Sequence, residues 1–177
     1  MKSSYIQGDT IYLRRLAEED VTEDYVNWMN DPDINQYLES RFYVHTIDSV
    51  KSYVRSLINN ENYQFGIFLK DTDEHIGNIK IGNINSYHRF GDIGFIIGNK
   101  KYWGRGIATE AVRLVTDFAF KELKLHKLWG GLYAPNIGSL RTFQKNGYEQ
   151  EGIKKSHYLF NGVFVDDIVF SKINPYE

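Results

Sequence analysis

The spacing of apolar residues along this chain switches between two and three or four, and each switch marks an element. Over 91–98, Ile93, Phe95 and Ile97 share one face of an extended run with Ile96 opposite, and Gly98 ends it, as in a buried strand. From Ile107 the period becomes helical. Ala108, Ala111, Val112, Val115, Phe118 and Ala119 fall on one side, and Glu110, Arg113, Asp117 and Lys121 on the other. The pattern predicts a strand and then a helix of about four turns packed on a sheet.

The remaining elements follow the same rules. An opening strand is predicted at 10–16, then a helix from Glu18-Glu19-Asp20 to about Asn30, broken at Asp31-Pro32. A short turn or helix carries Ile34, Tyr37 and Leu38, and a helix capped by Thr46 buries Val50, Tyr53, Val54 and Leu57 until 59–62 end it. A hairpin joins strands at 63–70 and 74–85 through Asp71-Thr72-Asp73, with a bulge expected at Gly82 where the alternation of Ile79 and Ile81 breaks. After the central helix come a strand at 127–133, a helix at 136–146, and strands at 148–160 and 163–173 turned at Asn161-Gly162. No linker or low-complexity stretch divides the chain, so a single domain over 1–177 is expected.

Between the central strand and helix lies Lys101-Tyr102-Trp103-Gly104-Arg105-Gly106. Glycines here permit positive φ and close approach of a ligand, and the unpaired amides of the helix's first turn point into the same space. Such a junction is either an ordinary tight connection or an anion site suited to a pyrophosphate. It is too short for GxxxxGK[ST], and Thr109 occupies the third glycine of GxGxxG, so neither a nucleoside triphosphate nor a dinucleotide is the first expectation.

Charge and composition narrow the classes. A net charge of -2 and a pI near 6.2 give no general attraction to nucleic acid or membrane, so no partner of either kind is expected. The absence of cysteine removes disulfides, thiolate zinc sites and a cysteine nucleophile. His45, His75, His126 and His157 lack metal-ligand spacing, and no metal is expected. With no apolar h-region at the start and no membrane-length run, the reading is cytoplasmic.

The loop resembles the signature of the GNAT superfamily of acyl-CoA N-acetyltransferases, Arg/Gln-x-x-Gly-x-Gly/Ala, with Lys101, Gly104 and Gly106 in its three places. Asn136-Ile137-Gly138-Ser139 and Lys145-Asn146-Gly147-Tyr148 are similar to the family's N-x-x-S and K-x-G-F/Y elements, and the serine points to the RimJ/RimL-like branch. With Trp28-Met29-Asn30-Asp31-Pro32, the resemblance extends over nearly the whole chain. It implies an α/β fold of the α+β type: one domain, a mixed, mostly antiparallel twisted sheet of about seven strands with helices on both faces. A V-shaped splay is expected between the two central parallel strands.

The implied reaction is direct attack of a neutral primary amine on acetyl-CoA in a ternary complex. Pantetheine amides would pair with the backbone of Phe95, Ile96 and Ile97, while the loop from Lys101 to Gly106, with Tyr102, Trp103 and Arg105, would hold the diphosphate, and Ile107 and Ala108 would also touch the cofactor. Asn136 would cap its helix and touch the pantetheine arm. An α-amine is already ~10% neutral at pH 7 and a lysine-like amine only ~0.04%, so the need for a base depends on the acceptor. Asp92 either relays a proton through water or is a plain strand-end carboxylate; His88 is either a base or a loop residue. Phe143 stands where many members carry the tyrosine that protonates the leaving thiolate, which leaves Ser139 as the available hydroxyl or a simple helix-start residue.

For the acceptor, Trp28, Tyr37 and Arg41 are expected to line the cleft, with Trp28 alternatively in the core. Asp166 or Asp167 would face an ammonium while the other serves an ion pair, and Asp166 is taken as the contact together with His88. Without an obvious acidic cluster, the aromatics and Arg41 favour an amino-sugar nucleotide over a polyamine, and the branch name suggests a protein N-terminal amine. A homodimer is also considered. The alternative function is a catalytically inactive acyl-CoA-binding module, a sensor or partner subunit, kept open by Phe143.

Overall fold

A computed structural model describes residues 5–58 and 62–177. The element order is β1 (Tyr5–Gln7), β2 (Ile11–Arg15), α1 (Glu23–Asn30), α2 (Pro32–Asn35), α3 (Ile47–Ile58), β3 (Tyr63–Leu69), β4 (His75–Asn85) and β5 (Phe90–Ile97). There follow α4 (Ile107–Lys121), β6 (Lys127–Tyr133), α5 (Ile137–Lys145), β7 (Glu149–Phe160) and β8 (Val163–Ile173). Eight strands lie in the order β1-β2-β3-β4-β5-β6-β8-β7, antiparallel throughout except for the β5–β6 pair.

Strand alternation sorts the side chains into two layers. Ile11, Leu13, Phe65, Ile67, Ile79, Ile81, Ile93 and Ile97 meet Ala111, Val112, Val115 and Ala119 of α4 in the main core, which Phe143 of α5 joins. A smaller core of Leu16, Val21, Tyr25, Val26, Trp28, Val50 and Val54 lies among α1, α3 and the segments beside them.

Two departures from the sequence reading have local causes. The helix expected from Glu18 is only a 3-10 turn over Glu18–Asp20, and α1 starts after the Thr22 cap, whose Oγ1 accepts from the Tyr25 N–H at 3.3 Å. Asp20 folds back instead, accepting from the Ala17 N–H at 2.8 Å and from both Arg14 terminal nitrogens at 2.7 and 2.6 Å. The extra strand β1 is three residues long, too short for a periodic signal, and pairs with β2 across Gly8 and Asp9. Glu110, on the polar side of α4, holds that turn by accepting the Thr10 N–H at 3.0 Å.

Val50 and Val54 of α3 are buried as expected, but Tyr53 is 44% exposed and donates its hydroxyl to Gln64 at 3.0 Å. Thr46 caps α3 through its Oγ1 and the Ser49 N–H at 3.1 Å, and Asn161 and Gly162 adopt φ of 50° and 80°, the two left-handed residues of a tight hairpin turn. The β4 irregularity falls between Gly82 and Asn85, with positive φ of 48° at Asn83 rather than at the glycine. The expected stop of α3 at 59–62 lies mostly outside the described residues.

Candidate active site

The parallel strands β5 and β6 pair over only three residues, Phe90 to Asp92 against Lys127 to Trp129, and then separate. Gly98 donates its N–H to the Ile76 carbonyl on β4, so by alternation the main-chain groups of Ile96 face β4, while those of Ile93, Phe95 and Ile97 face the opening. A cleft of about 600 Å³ fills the gap, bordered by Ile93 to Ile97, Gly131 and Leu132, the start of α4, and the segment from Asp33 to Leu38.

The loop between β5 and α4 stands at its mouth. Gly104 and Gly106 have φ of 73° and 81°, and a Cβ added to either would meet nothing within 4 Å. No side chain caps α4, and the amides from Gly104 to Ala108 donate to no acceptor among the described residues. Unpaired donors beside open space are what an anion at a helix start needs. Three residues, Glu74, Lys100 and Trp103, anchor the loop. Glu74 accepts from the Tyr102 hydroxyl at 2.6 Å and from Asn99 Nδ2 at 2.8 Å, and Lys100 pairs with Asp31 and Asp33 at 2.8 and 2.6 Å. Trp103 donates its indole N–H to the Ile97 carbonyl at 2.8 Å. Lys101 and Arg105 lie exposed over the Tyr102 ring, 5.3 and 5.8 Å from its centroid.

At the far wall, Asn136 caps α5 by accepting the Ser139 N–H at 3.2 Å, and the half-buried Ser139 hydroxyl has no hydrogen-bond partner among the described residues. Both residues border the cleft with Phe143. Phe143 is buried between Phe95 and Phe170, with ring centroids at 5.6 and 4.0 Å, so this wall is apolar.

The acceptor residues expected from sequence divide. Tyr37 borders the cleft and stacks on Phe160 at 5.1 Å, while Arg41 donates to the Tyr133 hydroxyl at 2.7 Å and to the Leu159 carbonyl at 3.3 Å. Trp28 is corrected to the core. It is 8% exposed and lies directly under Gly98, where a Cβ would fall 1.9 Å from the indole. His88 is an exposed turn residue beside Phe90, apart from the cleft lining, because the turn at 86–89 leads it away from the gap. Asp166 also points away, held by Lys155 at 2.9 Å and the Ser156 N–H at 2.9 Å, which together keep its carboxyl below the usual range.

Asp92 lies on the sheet face opposite α4, beneath the point where the strands part. Its Oδ2 accepts from Asn83 Nδ2 at 2.5 Å, Oδ1 is 4.0 Å from Lys80, and the carboxylate occupies the space beside Gly82. Asp167 shares that face, and so does Tyr133, whose hydroxyl donates to Glu39. Burial first, and then the Glu39 carboxylate, raises the Tyr133 hydroxyl, so it stays protonated. Glu39 and Tyr133 carried no pattern as site residues, since only the tertiary fold joins positions 94 apart. No group of potential metal ligands and no helix long and apolar enough to span a membrane occurs among the described residues.

A family profile described as an acetyltransferase (GNAT) domain matches residues 10–149. The chain is 35% identical to the probable N-acetyltransferase YjcK of Bacillus subtilis (strain 168), over 96% of this chain and 97% of that protein. It is 29% identical to spermidine N(1)-acetyltransferase of Escherichia coli (strain K12), over 69% and 74% of the two chains. The crystal structure of spermidine N-acetyltransferase from Vibrio cholerae in complex with CoA and spermine superposes with a TM-score of 0.85 at 22% identity, over 93% of this chain and 96% of that one, a likeness of fold.

Proposed function

Because the chain belongs to the GNAT acetyltransferase family, we propose that it transfers an acetyl group from acetyl-CoA to a primary amine by direct attack in a ternary complex. The observation that carries this reading is the parting of β5 from β6 after three residue pairs, with unpaired loop amides at the mouth of the gap. Acetyl-CoA supplies the activated thioester. The amides from Gly104 to Ala108, flanked by Lys101 and Arg105, bind its diphosphate, and the free edge at Phe95 takes the amide-bearing arm as a sheet edge takes a peptide. Of the three strand residues considered, Ile96 faces β4 and Ile97 already accepts from Trp103, which concentrates this pairing on Phe95. Holding both reactants in one gap supplies much of the acceleration.

Ser139 is the hydroxyl to protonate the departing thiolate, since Phe143 has none and the Ser139 hydroxyl makes no hydrogen bond among the described residues. Asp92 is the carboxylate to receive the amine's proton through water. The acceptor is a small cationic amine. Asp92, Asp167 and Glu39 lie on one side of the sheet, with Lys80, Lys154 and Arg41 at 4.0, 3.0 and 3.8 Å from them, so carboxylates are at hand for an ammonium although their charge is locally balanced. Spermidine, named for the relative from Escherichia coli, heads the amines to try, followed by an amino-sugar nucleotide and a peptide α-amine of the kind the RimJ/RimL-like branch suggests. The cytoplasm, where acetyl-CoA is at hand, is the proposed location, and a homodimer the assembly to test.

Thiol release from acetyl-CoA with each amine tests the reading, alongside calorimetry with the cofactor. Turnover on a cationic amine supports it; no cofactor uptake ends it. Uptake without turnover on any amine would favour an inactive acyl-CoA-binding module, which Phe143 supports.

A further inference from the structure

A buried carboxylate oxygen without a hydrogen bond among the described residues lies behind the cleft wall at Gly131. Asp167 of β8 has a side chain only 1% exposed; its Oδ2 pairs with Lys154 Nζ at 3.0 Å, but its Oδ1 makes no hydrogen bond among the described residues. Asp167 lies opposite Tyr133 in the β6–β8 register, and Gly131 is the next residue of β6 on the same face. A Cβ on Gly131 would fall 2.5 Å from Oδ1, so the carboxylate rests in the space this glycine leaves open. Gly131 is also part of the cleft wall. Only a residue without a side chain lets the Asp167 charge lie so close to the gap.

An ionised oxygen withdrawn from water without a donor is strongly disfavoured, and apart from the Tyr158 hydroxyl, which burial and then the Asp167 carboxylate push up to about 12, the neighbouring groups do not relieve it. Lys154 serves Oδ2, and Arg41 is engaged by the Tyr133 hydroxyl and the Leu38 and Leu159 carbonyls. Around the carboxylate, the Tyr133 and Tyr158 rings stack 4.0 Å apart, and Glu39 accepts from Tyr133. A carboxylate with aromatic faces beside it is an ammonium site.

We propose that Asp167 is a specificity-determining residue: its Oδ1 accepts a hydrogen bond from a second, non-reacting ammonium of the acceptor, so the substrate class is a primary amine bearing a further cationic nitrogen. The proposal rests on the acetyl-transfer reading above. The attacking nitrogen must be neutral, and a carboxylate against it would hold it protonated, so this anchor serves the other end of the molecule. Asp166, turned outward into its pair with Lys155, has no such part.

The test compares 1,4-diaminobutane with n-butylamine, in thiol-release kinetics with acetyl-CoA and in calorimetry of each amine with and without CoA. The wild-type protein is expected to prefer the diamine. Asp167→Asn should raise the diamine KM by about 10- to 100-fold, the range for a hydrogen bond between charged groups, with kcat little changed and n-butylamine and CoA binding unaffected. Asp167→Thr, also neutral, should give the same pattern, and it decides the matter if Asp167→Asn does not fold. Equal treatment of the two amines by the wild type, or equal loss of both in the variants, overturns the proposal whatever the variants' stability. If the wild type takes up no CoA, the acetyl-transfer reading falls by itself, and diamine binding without cofactor still tests Asp167.

Discussion

Trp103 donates its indole N–H to the Ile97 carbonyl at 2.8 Å, tying the glycine loop to the last residue of the strand that borders the cleft. The bond fixes where the loop amides sit relative to the free strand edge. Trp103→Phe keeps the ring and removes the donor. Calorimetry should show acetyl-CoA bound about 3- to 10-fold more weakly, the range for one neutral hydrogen bond; unchanged affinity would mean that the loop is positioned without it.

Gly106 separates a stability effect from a binding effect. At φ of 81° with open space around it, an alanine costs only the left-handed backbone penalty, about 1–2 kcal/mol. The new methyl would, however, enter the region where the diphosphate lies. Gly106→Ala should therefore melt slightly earlier yet lose most cofactor affinity, and equal affinity would argue against a ligand there.

Glu74 receives both the Tyr102 hydroxyl and the Asn99 side chain, and so holds the one-turn helix at Lys100–Tyr102. Glu74→Leu leaves both donors unsatisfied and should cost about 1–3 kcal/mol in denaturant unfolding. The KM for acetyl-CoA should rise more than kcat falls, because the loop binds and does not react. A pure loss in kcat would contradict that division.

Ser139→Ala asks whether the unengaged hydroxyl takes part in proton transfer. A general acid contributes about 100-fold or more, so kcat should drop by that order while calorimetric affinity for CoA holds. An unchanged kcat would leave Ser139 as a lining residue alone.

The Arg14–Asp20 pair gives a pH signature. Burial pushes the Asp20 carboxyl up, but the Arg14 guanidinium and the Ala17 N–H outweigh it and hold it below its ordinary value. Its contribution to stability is then fully present above the unfolded carboxyl pKa, about 3.9, and is lost as pH falls through the lower folded value. Asp20→Asn should flatten the fall of unfolding free energy below about pH 4, measured by denaturant titration. An unchanged slope would assign acid sensitivity to other carboxylates.

The main helix, most strands and the glycine junction were legible because each has a local cause: the apolar face of α4, the two left-handed residues at Asn161-Gly162, the Thr46 cap. The acceptor side was not, because its contacts span distant positions. Tyr133 meets Glu39 across 94 residues, and nothing in either neighbourhood marks the pair. Trp28 and His88 were drawn to the site by residue type, and burial under Gly98 and an exposed turn removed them from it. Between Asp166 and Asp167 the period-two rule gives opposite faces but not which one is inward, and the position of Gly131 decides it.

With only three rungs joining its middle strands, the sheet is two plates, one of five strands and one of three, hinged along a short seam. A molecule lodged in the gap beyond that seam bridges the two plates and stiffens the hinge as well as reacting there. Hydrogen exchange at the inner borders of both plates should slow on cofactor uptake, while the outermost strands keep their apo rates.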